Sequence, residues 1–338
     1  MSGAGLVVDA LTVRFGGLIA VDRVAFSVQP GSITAVIGPN GAGKTTLFNA
    51  ISGIHPPSAG GIRLDGVPLR ATTDWRQRGR WAGAGAVTAA VAATAAGLLP
   101  AWTAMTAEEH AGAMALAAVR SLAQAPATPW AALAGMAVGS AGAWAAWRRS
   151  RQSPELAAEA GIARTFQNLR LFRDLSALDN VRLGAHRHLR GSAIAAALRL
   201  PAHHRDEADA EAAARDALAV VGLTGSAQRA AGHLPYGHQR RLEIARALAS
   251  RPRLLLLDEP AAGMHGGEAD ALEDLIRRIR DRGITIILIE HHMRLVMRLA
   301  ERIVVLHHGA KLAEGTPAEI RADPQVITAY LGQGGADA

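Results

Sequence analysis

The chain has 338 residues, enough for a large core and for about two domains. It has no cysteine, which excludes disulfides, thiolate zinc sites and thiol catalysis and fits a cytosolic location. The formal net charge is +7, and nearly all of the basic charge is arginine because Lys44 and Lys311 are the only lysines. This bias is consistent with an affinity for phosphates or an anionic membrane surface, but composition alone favours the base composition of the genome as its explanation. The N-terminus lacks the apolar run and cleavage site of a secretory signal.

The first 70 residues are predicted to form short strands. Apolar and polar residues alternate over 6–37, and Gly-Gly and Pro-Gly pairs mark turns between the strands. A further hairpin is predicted over 59–69. Phe15, just before the first glycine pair, is a candidate for stacking on an adenine ring, with a core aromatic as the alternative interpretation. The predicted strands are Leu6–Val13, Ala20–Val28 and Ser32–Ile37.

The stretch 38–46 carries the strongest local signal. Its letters GPNGAGKTT fit the pattern G-x-x-x-x-G-K-[ST] through Gly38, Gly43, Lys44 and Thr45, between a strand-like run and a helical one. Glycines let backbone N–H groups turn toward an anion, and the following helix points its positive end at the same anion. Lys44 can then reach the β- and γ-phosphates, and the Thr45 hydroxyl can ligate Mg²⁺. The alternative, a glycine-rich turn before an ordinary helix, is weak because lysine is so rare in this chain.

Residues 71–155 break this pattern and contain all six tryptophans. The runs 81–106 and 121–147 carry no charge, and each exceeds the ~20 residues that cross a bilayer. Tryptophans at the ends of the runs and arginines outside them favour a transmembrane helical hairpin with both ends in the cytoplasm. Because the runs are rich in alanine and glycine and contain prolines, a soluble alanine-rich hairpin and a poorly ordered insertion are the alternatives. The flanking arginines are Arg76, Arg78, Arg80, Arg148, Arg149 and Arg151.

After residue 160 the globular pattern returns. Gln167 follows a strand-like start, and 176–226 is predicted to be mostly helical. The stretch 234–249 predicts a helix after Gly237, whose N-terminus offers N–H groups to an anion. Near the C-terminus, 303–306 and 310–314 predict a closing strand pair, and 316–331 predicts helices with Pro317 near an N-terminus.

Two buried strands are predicted to end in chemically active side chains. Four leucines at 254–257 predict one strand, and Asp258 and Glu259 follow at its carboxyl end, where ligands bind in an open α/β sheet. One carboxylate can hold Mg²⁺ through water, and the second can polarise an attacking water. The apolar run 284–289 predicts another strand. His291 follows it and can hydrogen-bond a terminal phosphate, although a lone histidine is more often structural.

Taken in order, these motifs resemble ABC-type P-loop ATPases and, within them, the ATP-binding subunits of high-affinity branched-chain amino acid importers. The resemblance implies an α/β fold with a RecA-like mixed sheet core, an antiparallel β edge and a helical signature subdomain, into which the alanine-rich helical hairpin is inserted. It covers 1–70 and 156–332. The stretches that carry it are 38–46, RTFQNLRLFR at 164–173, 234–249, LDEPAAG at 257–263, IEHHMRLVM at 289–297, GTPAEI at 315–320 and AYLG at 329–332.

The chain is accordingly divided into four predicted parts. Residues 1–70 form the N-terminal part of the nucleotide-binding core, and 71–155 form the insertion. Residues 156–245 hold the glutamine loop and the helical signature subdomain. Residues 246–338 complete the core with the Walker B strand and the histidine switch.

The resemblance also implies residue roles, with ATP and Mg²⁺ as cofactors. Glu259 is the implied general base for water, and His291 contacts the γ-phosphate. Residues near Gln167 to Phe172 also face the membrane permease and transmit motion to it. The implied metal ligands are Thr45, Gln167 and Asp258. The implied nucleotide-binding residues are Phe15, Asn40, Gly41, Ala42, Gly43, Lys44, Thr45 and Thr46. The implied signature loop is Pro235, Tyr236, Gly237, His238 and Gln239.

In three places the chain departs from the family. The usual signature is Leu-Ser-Gly-Gly-Gln, whereas here Pro235, Tyr236 and His238 replace its serine, a glycine and its glutamine. Proline offers neither a hydroxyl nor an N–H to the partner subunit's nucleotide. His265 stands where an acid of the D-loop is usual. The insertion has no counterpart in the usual subunit.

The resemblance implies a cassette that energises an amino-acid importer. Two such subunits form a homo- or heterodimer at the cytoplasmic face of the plasma membrane, with permease subunits and, indirectly, a substrate-binding protein as partners. The attachment is peripheral, or integral if 81–147 spans the bilayer. The alternatives are an ABC ATPase that serves transport of another small molecule, a non-transport ABC ATPase acting on DNA or ribosomes, and a plain nucleotide kinase. The single cassette and an insertion without charged heptads argue against the non-transport ATPase, so no nucleic-acid partner is expected. A kinase needs neither 234–249 nor Gln167.

Overall fold

The computed structural model describes residues 5–69, 82–92, 128–149, 153–186 and 201–331. The chain forms two compact units, Met1–Leu69 with Gln152–Ala338 and, separately, Arg70–Arg151. The finer division into four parts stays a prediction. The strands are β1 (Leu6–Phe15), β2 (Leu18–Val28), β3 (Ile33–Ile37), β4 (Ala59–Leu64), β5 (Val67–Pro68), β6 (Ile162–Arg164), β7 (Leu254–Asp258), β8 (Thr285–Ile289), β9 (Arg302–His307) and β10 (Ala310–Gly315).

Six strands of the larger unit form one sheet in the order β10-β9-β3-β8-β7-β6. Within this order, β9, β3, β8, β7 and β6 all run parallel to one another, and β10 pairs antiparallel with β9. Every residue of β3, β7 and β8 is buried, and all of them are apolar except Thr34, Asp258 and Thr285, as is typical of parallel strands covered on both faces. Because β3, β8 and β7 are neighbouring parallel strands, their carboxyl ends meet at one edge of the sheet, where the predicted site residues follow them.

The second sheet is antiparallel and has the order β2-β1-β4-β5. The predicted hairpin over 59–69 is confirmed, because β4 and β5 pair through Arg63 with Pro68 and Leu64 with Val67. The first two predicted strands are longer than expected and extend to the turn at Gly16 and Gly17. Their buried side chains, with those of the helix α1 (Lys44–Ile51), form a core between the two sheets.

Helices pack on the parallel sheet and beside it. A second core joins three helices, α4 (Ala177–Ala185), α5 (Pro201–Val220) and α6 (Tyr236–Ala249), to the sheet through small and branched apolar residues such as Ala214, Leu218 and Leu242. The described helices are α1 (Lys44–Ile51), α2 (Thr128–Arg149), α3 (Pro154–Ala160), α4 (Ala177–Ala185), α5 (Pro201–Val220), α6 (Tyr236–Ala249), α7 (Gly266–Asp281), α8 (Met293–Leu299), α9 (Pro317–Ala322) and α10 (Pro324–Leu331).

The smaller unit contains the helical stretch 82–92 and α2, which lie against each other. The Thr88 hydroxyl donates to the carbonyl of Gly135 at 2.6 Å. A Cβ on Gly139 would lie 2.0 Å from the Thr88 hydroxyl oxygen, so only glycine allows this close approach. Within the described residues, no helix combines the length and the apolar character needed to cross a bilayer. Most of the apolar run 81–106 lies outside the described residues.

Candidate active site

The phosphate loop connects the buried strand β3 to the first residue of α1, as its sequence predicts. Gly38 has φ +152°, and a Cβ there would lie 2.2 Å from the carbonyl oxygen of Leu306. Gly43 caps α1 with φ +96°, and a Cβ there would lie 2.5 Å from the carbonyl oxygen of Ala20. Both positions require glycine because the loop is pressed against the neighbouring strands. The tight turn places the N-terminus of α1 next to the loop, where its N–H groups favour an anion.

Lys44 is folded back over this loop. Its Nζ donates to the carbonyl oxygens of Gly38 at 2.6 Å and Pro39 at 2.9 Å. Burial lowers the pKa of Lys44 from its ordinary value of 10.5, and the carboxylates of Glu259 and Asp258 partly oppose that shift. The ammonium group is thus partly desolvated and positioned beside the loop, which suits it to bind a phosphate.

A cleft of about 580 Å³ brings several predicted site residues together. Phe15, Gln167 and Glu259 line it. The ring of Phe15 is 44% exposed and meets His55 edge-on with the ring centroids 5.3 Å apart, so it is not a core aromatic. The other residues that line the cleft are Leu18, Ile19, Ala20, Asn40, Gly41, Ala42, Gly43, Lys44, Thr45, Thr46, His308 and Gly309.

Glu259 is the centre of a small polar cluster at this cleft. The amide Nε2 of Gln167 donates to its Oε2 at 3.0 Å, and the Nδ1 of His291 lies 3.7 Å from its Oε1. The backbone of Glu259 has φ +47°, a conformation that is unusual for a residue with a side chain and often occurs at functional sites. Gln167, Glu259 and His291, which lie far apart in the sequence, therefore meet at one point.

Asp258 is buried and ion-paired with a residue that sequence reasoning did not single out. The Nη2 of Arg164 lies 2.8 Å from Asp258 Oδ2. The Nη1 of the same arginine donates to Asn49 Oδ1 at 2.7 Å and to Ser52 Oγ at 3.1 Å. A signal existed, since Arg164 ends β6, the parallel neighbour of β7, and parallel strands end at the same sheet edge.

Glu290 organises the loop around His291. Its carboxylate accepts from the backbone N–H groups of Ala261 at 2.9 Å, His291 at 3.1 Å and His292 at 3.4 Å. Side-chain ligand atoms of Glu290, His291 and His292 lie within 4.8 Å of one another. Because the buried carboxylate is already bonded to the backbone, it serves to hold the two loops that follow β7 and β8.

The predicted signature loop lies at the start of α6, and none of its residues lines the cleft. The helix begins at Tyr236, one residue before Gly237, and Pro235 caps it without a side-chain hydrogen bond. The Nε2 of Gln239 donates to the carbonyl of Leu234 at 2.7 Å. Burial and the nearby Arg241 lower the pKa of His238, while Glu268 opposes this. The loop therefore presents the start of a helix without the usual serine hydroxyl.

The predicted magnesium ligands offer oxygen atoms only, which is the donor chemistry that Mg²⁺ prefers. Thr45 and Gln167 line the cleft, and Asp258 comes directly before Glu259, which also lines it. These residues fit a hard divalent cation held next to a bound triphosphate.

Comparison with known proteins identifies the family. The family described as ABC transporter matches residues 21–113 and 130–262, and that described as branched-chain amino acid ATP-binding cassette transporter matches 310–336. The high-affinity branched-chain amino acid transport ATP-binding protein BraF of Pseudomonas aeruginosa is 38% identical over 334 residues, which is 98% of this chain and all of BraF. The corresponding protein LivG of Escherichia coli is 34% identical over the same share of both chains.

Solved structures have the same fold. A nucleotide-free ATP-binding cassette from an ABC transporter matches with a TM-score of 0.63 and 21% identity over 97% of this chain and 99% of that one. The dimeric bacterial ABC transporter cassette MJ0796 matches with a TM-score of 0.58 and 19% identity over 92% and 98%. Given the family match over more than half of the chain and the two relatives, the chain belongs to the ABC transporter family, as one of its ATP-hydrolysing, nucleotide-binding subunits.

Proposed function

We propose that this chain hydrolyses ATP to drive a membrane permease that imports branched-chain or related amino acids. The observation that carries the proposal is the cleft that joins the phosphate loop, Gln167 and Glu259 in a chain 38% identical to BraF. The substrate class is inferred from such relatives, because a cassette of this kind does not itself hold the amino acid. More distant relatives, such as a sulfate/thiosulfate import protein at 27% identity, have other substrates.

In this proposal each residue of the cleft has one task. Phe15 stacks on the adenine, and residues 40–46 hold the phosphates by their backbone N–H groups and Lys44. Glu259 accepts a proton from water while the water oxygen bonds to the γ-phosphorus and the bond to the leaving ADP oxygen breaks. Gln167 holds the Glu259 carboxylate in place, and His291 supports the γ-phosphate. The products are ADP, inorganic phosphate and a proton.

Mg²⁺ would be held by Thr45, Gln167 and Asp258 and would neutralise charge on the phosphates. The contribution of the chain is to orient these ligands. Arg164 fixes one oxygen of Asp258 at 2.8 Å, so the carboxylate cannot turn freely.

The proposed assembly is a head-to-tail dimer of two cassettes, either identical or related, bound to permease subunits. In such a dimer each ATP lies between the phosphate loop of one subunit and the signature loop of the other. A solved cassette of similar fold, MJ0796, is dimeric, which supports a pair of cassettes. A substrate-binding protein would take part indirectly, and no nucleic acid is expected. The attachment to the cytoplasmic face is proposed to be peripheral.

The insertion gives the location a direct test. Integral attachment through 81–147 predicts that the protein stays with the membranes during alkaline carbonate extraction, whereas release into the supernatant rejects a membrane-spanning hairpin. Purification from detergent-solubilised membranes tests the partner assignment, since a polytopic permease should co-purify. Its absence would favour a non-transport ATPase.

Glu259→Gln tests the chemistry. The variant should bind Mg-ATP with near-normal affinity and lose turnover by about 10²–10⁴-fold, because an amide cannot accept the proton from water. Glu301→Gln is the matched control, since Glu301 pairs with Arg280 on the surface, and it should retain full turnover. Normal turnover by Glu259→Gln would reject Glu259 as the base. Absence of Mg-ATP binding by the wild type would reject the proposed function itself.

A further inference from the structure

The signature helix α6 is hydrogen-bonded to the main chain of the glutamine loop, the stretch 164–173. Arg240 is 5% exposed, and its Nη1 donates to the carbonyl oxygen of Phe166 at 3.0 Å. Its Nη2 donates to the carbonyl oxygen of Gln167 at 2.5 Å. A planar guanidinium can hold two successive carbonyl groups in a fixed orientation, which an ammonium group cannot do. The direction of the Gln167 side chain therefore depends on Arg240.

Glu243, one turn further along α6, also hydrogen-bonds to the main chain of this segment. Its Oε1 accepts from the backbone N–H of Phe166 at 3.3 Å, and its Oε2 lies 3.5 Å from the Nη1 of Arg240. Glu243 is only 2% exposed. Both the N–H and the carbonyl of Phe166 are thus bonded to α6, so a movement of the helix carries the glutamine loop with it.

Tyr236 connects Arg240 to the loop that follows β7, the Walker B strand. Its hydroxyl accepts from the Nε of Arg240 at 3.1 Å and donates to the carbonyl of Ala262 at 3.0 Å. The ring packs against Gly263, where a Cβ would lie 3.3 Å from the nearest ring carbon. Tyr236 stands in the signature loop where the family usually has a glycine. The side chain that departs from the family pattern is therefore part of the hydrogen-bonded network.

Both branches of this network end at Glu259. Through Arg240 it reaches Gln167, whose Nε2 donates to Glu259 Oε2 at 3.0 Å. Through Ala262 it reaches the main chain of Glu259, because the Ala262 N–H donates to the Glu259 carbonyl at 3.1 Å. Hence Tyr236, at the signature turn, and Glu259, in the cleft, are joined by two continuous hydrogen-bonded paths.

We infer that Arg240 and Tyr236 are positioning residues that transmit the state of the signature turn to the catalytic base of the same chain. In a head-to-tail dimer the signature turn contacts the nucleotide of the other site, so this pair would make hydrolysis at one site depend on occupancy of the other. The inference rests on the proposed function for the catalytic part. The hydrogen bonds from Arg240 to the main chain of the glutamine loop do not depend on the proposed function.

The first experiment compares Arg240→Lys with Arg241→Lys in the full-length chain. Arg241 is the adjacent arginine of α6, and its Nη1 lies 3.5 Å from the carbonyl of Val221, outside the network. We expect Arg240→Lys to lower kcat between about 10- and 100-fold, since small misplacements of catalytic groups have effects of this size, while the dissociation constant for Mg-ATP changes less than about twofold. Arg241→Lys should leave both unchanged. A kcat for Arg240→Lys equal to that of the control would overturn the inference.

Hydrogen exchange without nucleotide provides a readout that does not involve activity. The peptide containing the Phe166 N–H should exchange several-fold faster in Arg240→Lys than in the wild type or in Arg241→Lys, because the segment is released from α6. Unchanged exchange would reject the contact between Arg240 and the glutamine loop even if the protein were an active ATPase. Faster exchange in a protein that never binds ATP would uphold this contact and reject the proposed function, so the two failures are distinguishable.

Tyr236→Phe is a second, conservative variant that tests the same network if Arg240→Lys folds poorly. It removes the hydroxyl and retains the ring against Gly263. If the two residues act as one unit, Tyr236→Phe should lower kcat less than Arg240→Lys, and the double variant should be no slower than Arg240→Lys alone. Losses that multiply in the double variant, or a single Tyr236→Phe variant with wild-type kcat, would contradict a shared network.

Discussion

The guanidinium of Arg164 and the carboxylate of Asp258 form an ion pair of 2.8 Å in which the two side chains are only 7% and 5% exposed. The guanidinium also lies over the rings of Phe48 and Phe166, with its central carbon 5.6 Å and 5.3 Å from the ring centroids. A buried pair of this kind contributes little net stability, but it makes each charge dependent on the other. The carboxylate that is predicted to serve Mg²⁺ is therefore held in one orientation by Arg164.

Arg164→Met should lower the free energy of unfolding by about 3–5 kcal/mol, because the Asp258 carboxylate is left buried without its partner. Denaturant unfolding measures this change. Adding Asp258→Asn should restore much of the lost stability without restoring ATP turnover. The control is Arg253→Met. Arg253 pairs with Asp65 at 3.2 Å with 69% and 42% of the side chains exposed, so its loss should cost less than about 1 kcal/mol. Equal losses at the two arginines would contradict the assigned role of burial.

Local sequence patterns predicted the elements that carry the site. The phosphate loop, the leucine strand before Asp258 and the strand before His291 each follow from a short run of letters, and their placement at one sheet edge follows from parallel pairing. The predicted closing strands and the predicted helix at Pro317 are also confirmed, and they too follow from short local patterns. What decides these elements is contained within about ten residues of chain, as is typical of strand and helix signals.

The contacts that tune the site could not be predicted in this way. Arg164 meets Asp258 across 94 residues, and Arg240 meets the Phe166 carbonyl across 74. An arginine in a pattern carries no sign of the carbonyl or carboxylate it will contact, because its long side chain can point in many directions. His308 lines the cleft from the turn after β9, and only the neighbouring position of β9 and β3 brings it there.

Gly43→Ala should impair both folding and nucleotide binding. A side chain at φ +96° costs roughly 1–3 kcal/mol of strain, and the added Cβ also meets the Ala20 carbonyl at 2.5 Å. The loop must therefore shift, which moves the N–H groups that surround the phosphates. Titration with ATP should show at least about tenfold weaker binding, corresponding to about 1.4 kcal/mol. Gly266→Ala is the control, because Gly266 also begins a helix and has open space at its Cβ position. Normal binding by Gly43→Ala would show that the loop tolerates a side chain.

The buried carboxyl of Glu243 should give unfolding a characteristic pH dependence. Burial raises its pKa above the ordinary value of 4.5, and the Phe166 N–H, Arg240 and Arg246 oppose part of that shift. The folded chain thus holds this proton more tightly than the unfolded chain. The stabilisation is complete below pH 4.5 and is lost as the pH rises through the higher pKa of the folded state. Because Glu243→Gln cannot titrate, its stability relative to the wild type should increase with pH over that window.

A second glutamate supplies a control of opposite sign for this experiment. The backbone N–H of Thr316 donates to Glu319 at 2.7 Å and lowers the pKa of that carboxyl. The stabilisation from Glu319 is therefore present above pH 4.5 and lost as the pH falls through the lower pKa of the folded state. Urea unfolding between pH 3 and 8 should give Glu319→Gln a relative stability that decreases with rising pH below about 4.5. Differences that are flat for Glu243→Gln would contradict the shift caused by burial.

Pro235→Ser should raise the turnover of the site that this signature loop completes. Pro235 caps α6 with φ −55° and ψ 153°, an extended conformation that serine adopts readily, and it makes no side-chain hydrogen bond to the helix. A serine would supply both a hydroxyl and an N–H at the start of the helix, and a hydrogen bond to a charged group is worth about 1.5–3 kcal/mol. Part of that energy should appear as faster hydrolysis, up to about tenfold.

The measurement is ATP turnover of the assembled dimer with the phosphate-loop lysine of one subunit replaced at a time. In a heterodimer the wild-type sites should turn over unequally, with the site facing Pro235 slower, and Pro235→Ser should reduce that inequality. Equal turnover from the two wild-type sites would reject the idea that Pro235 weakens one of them.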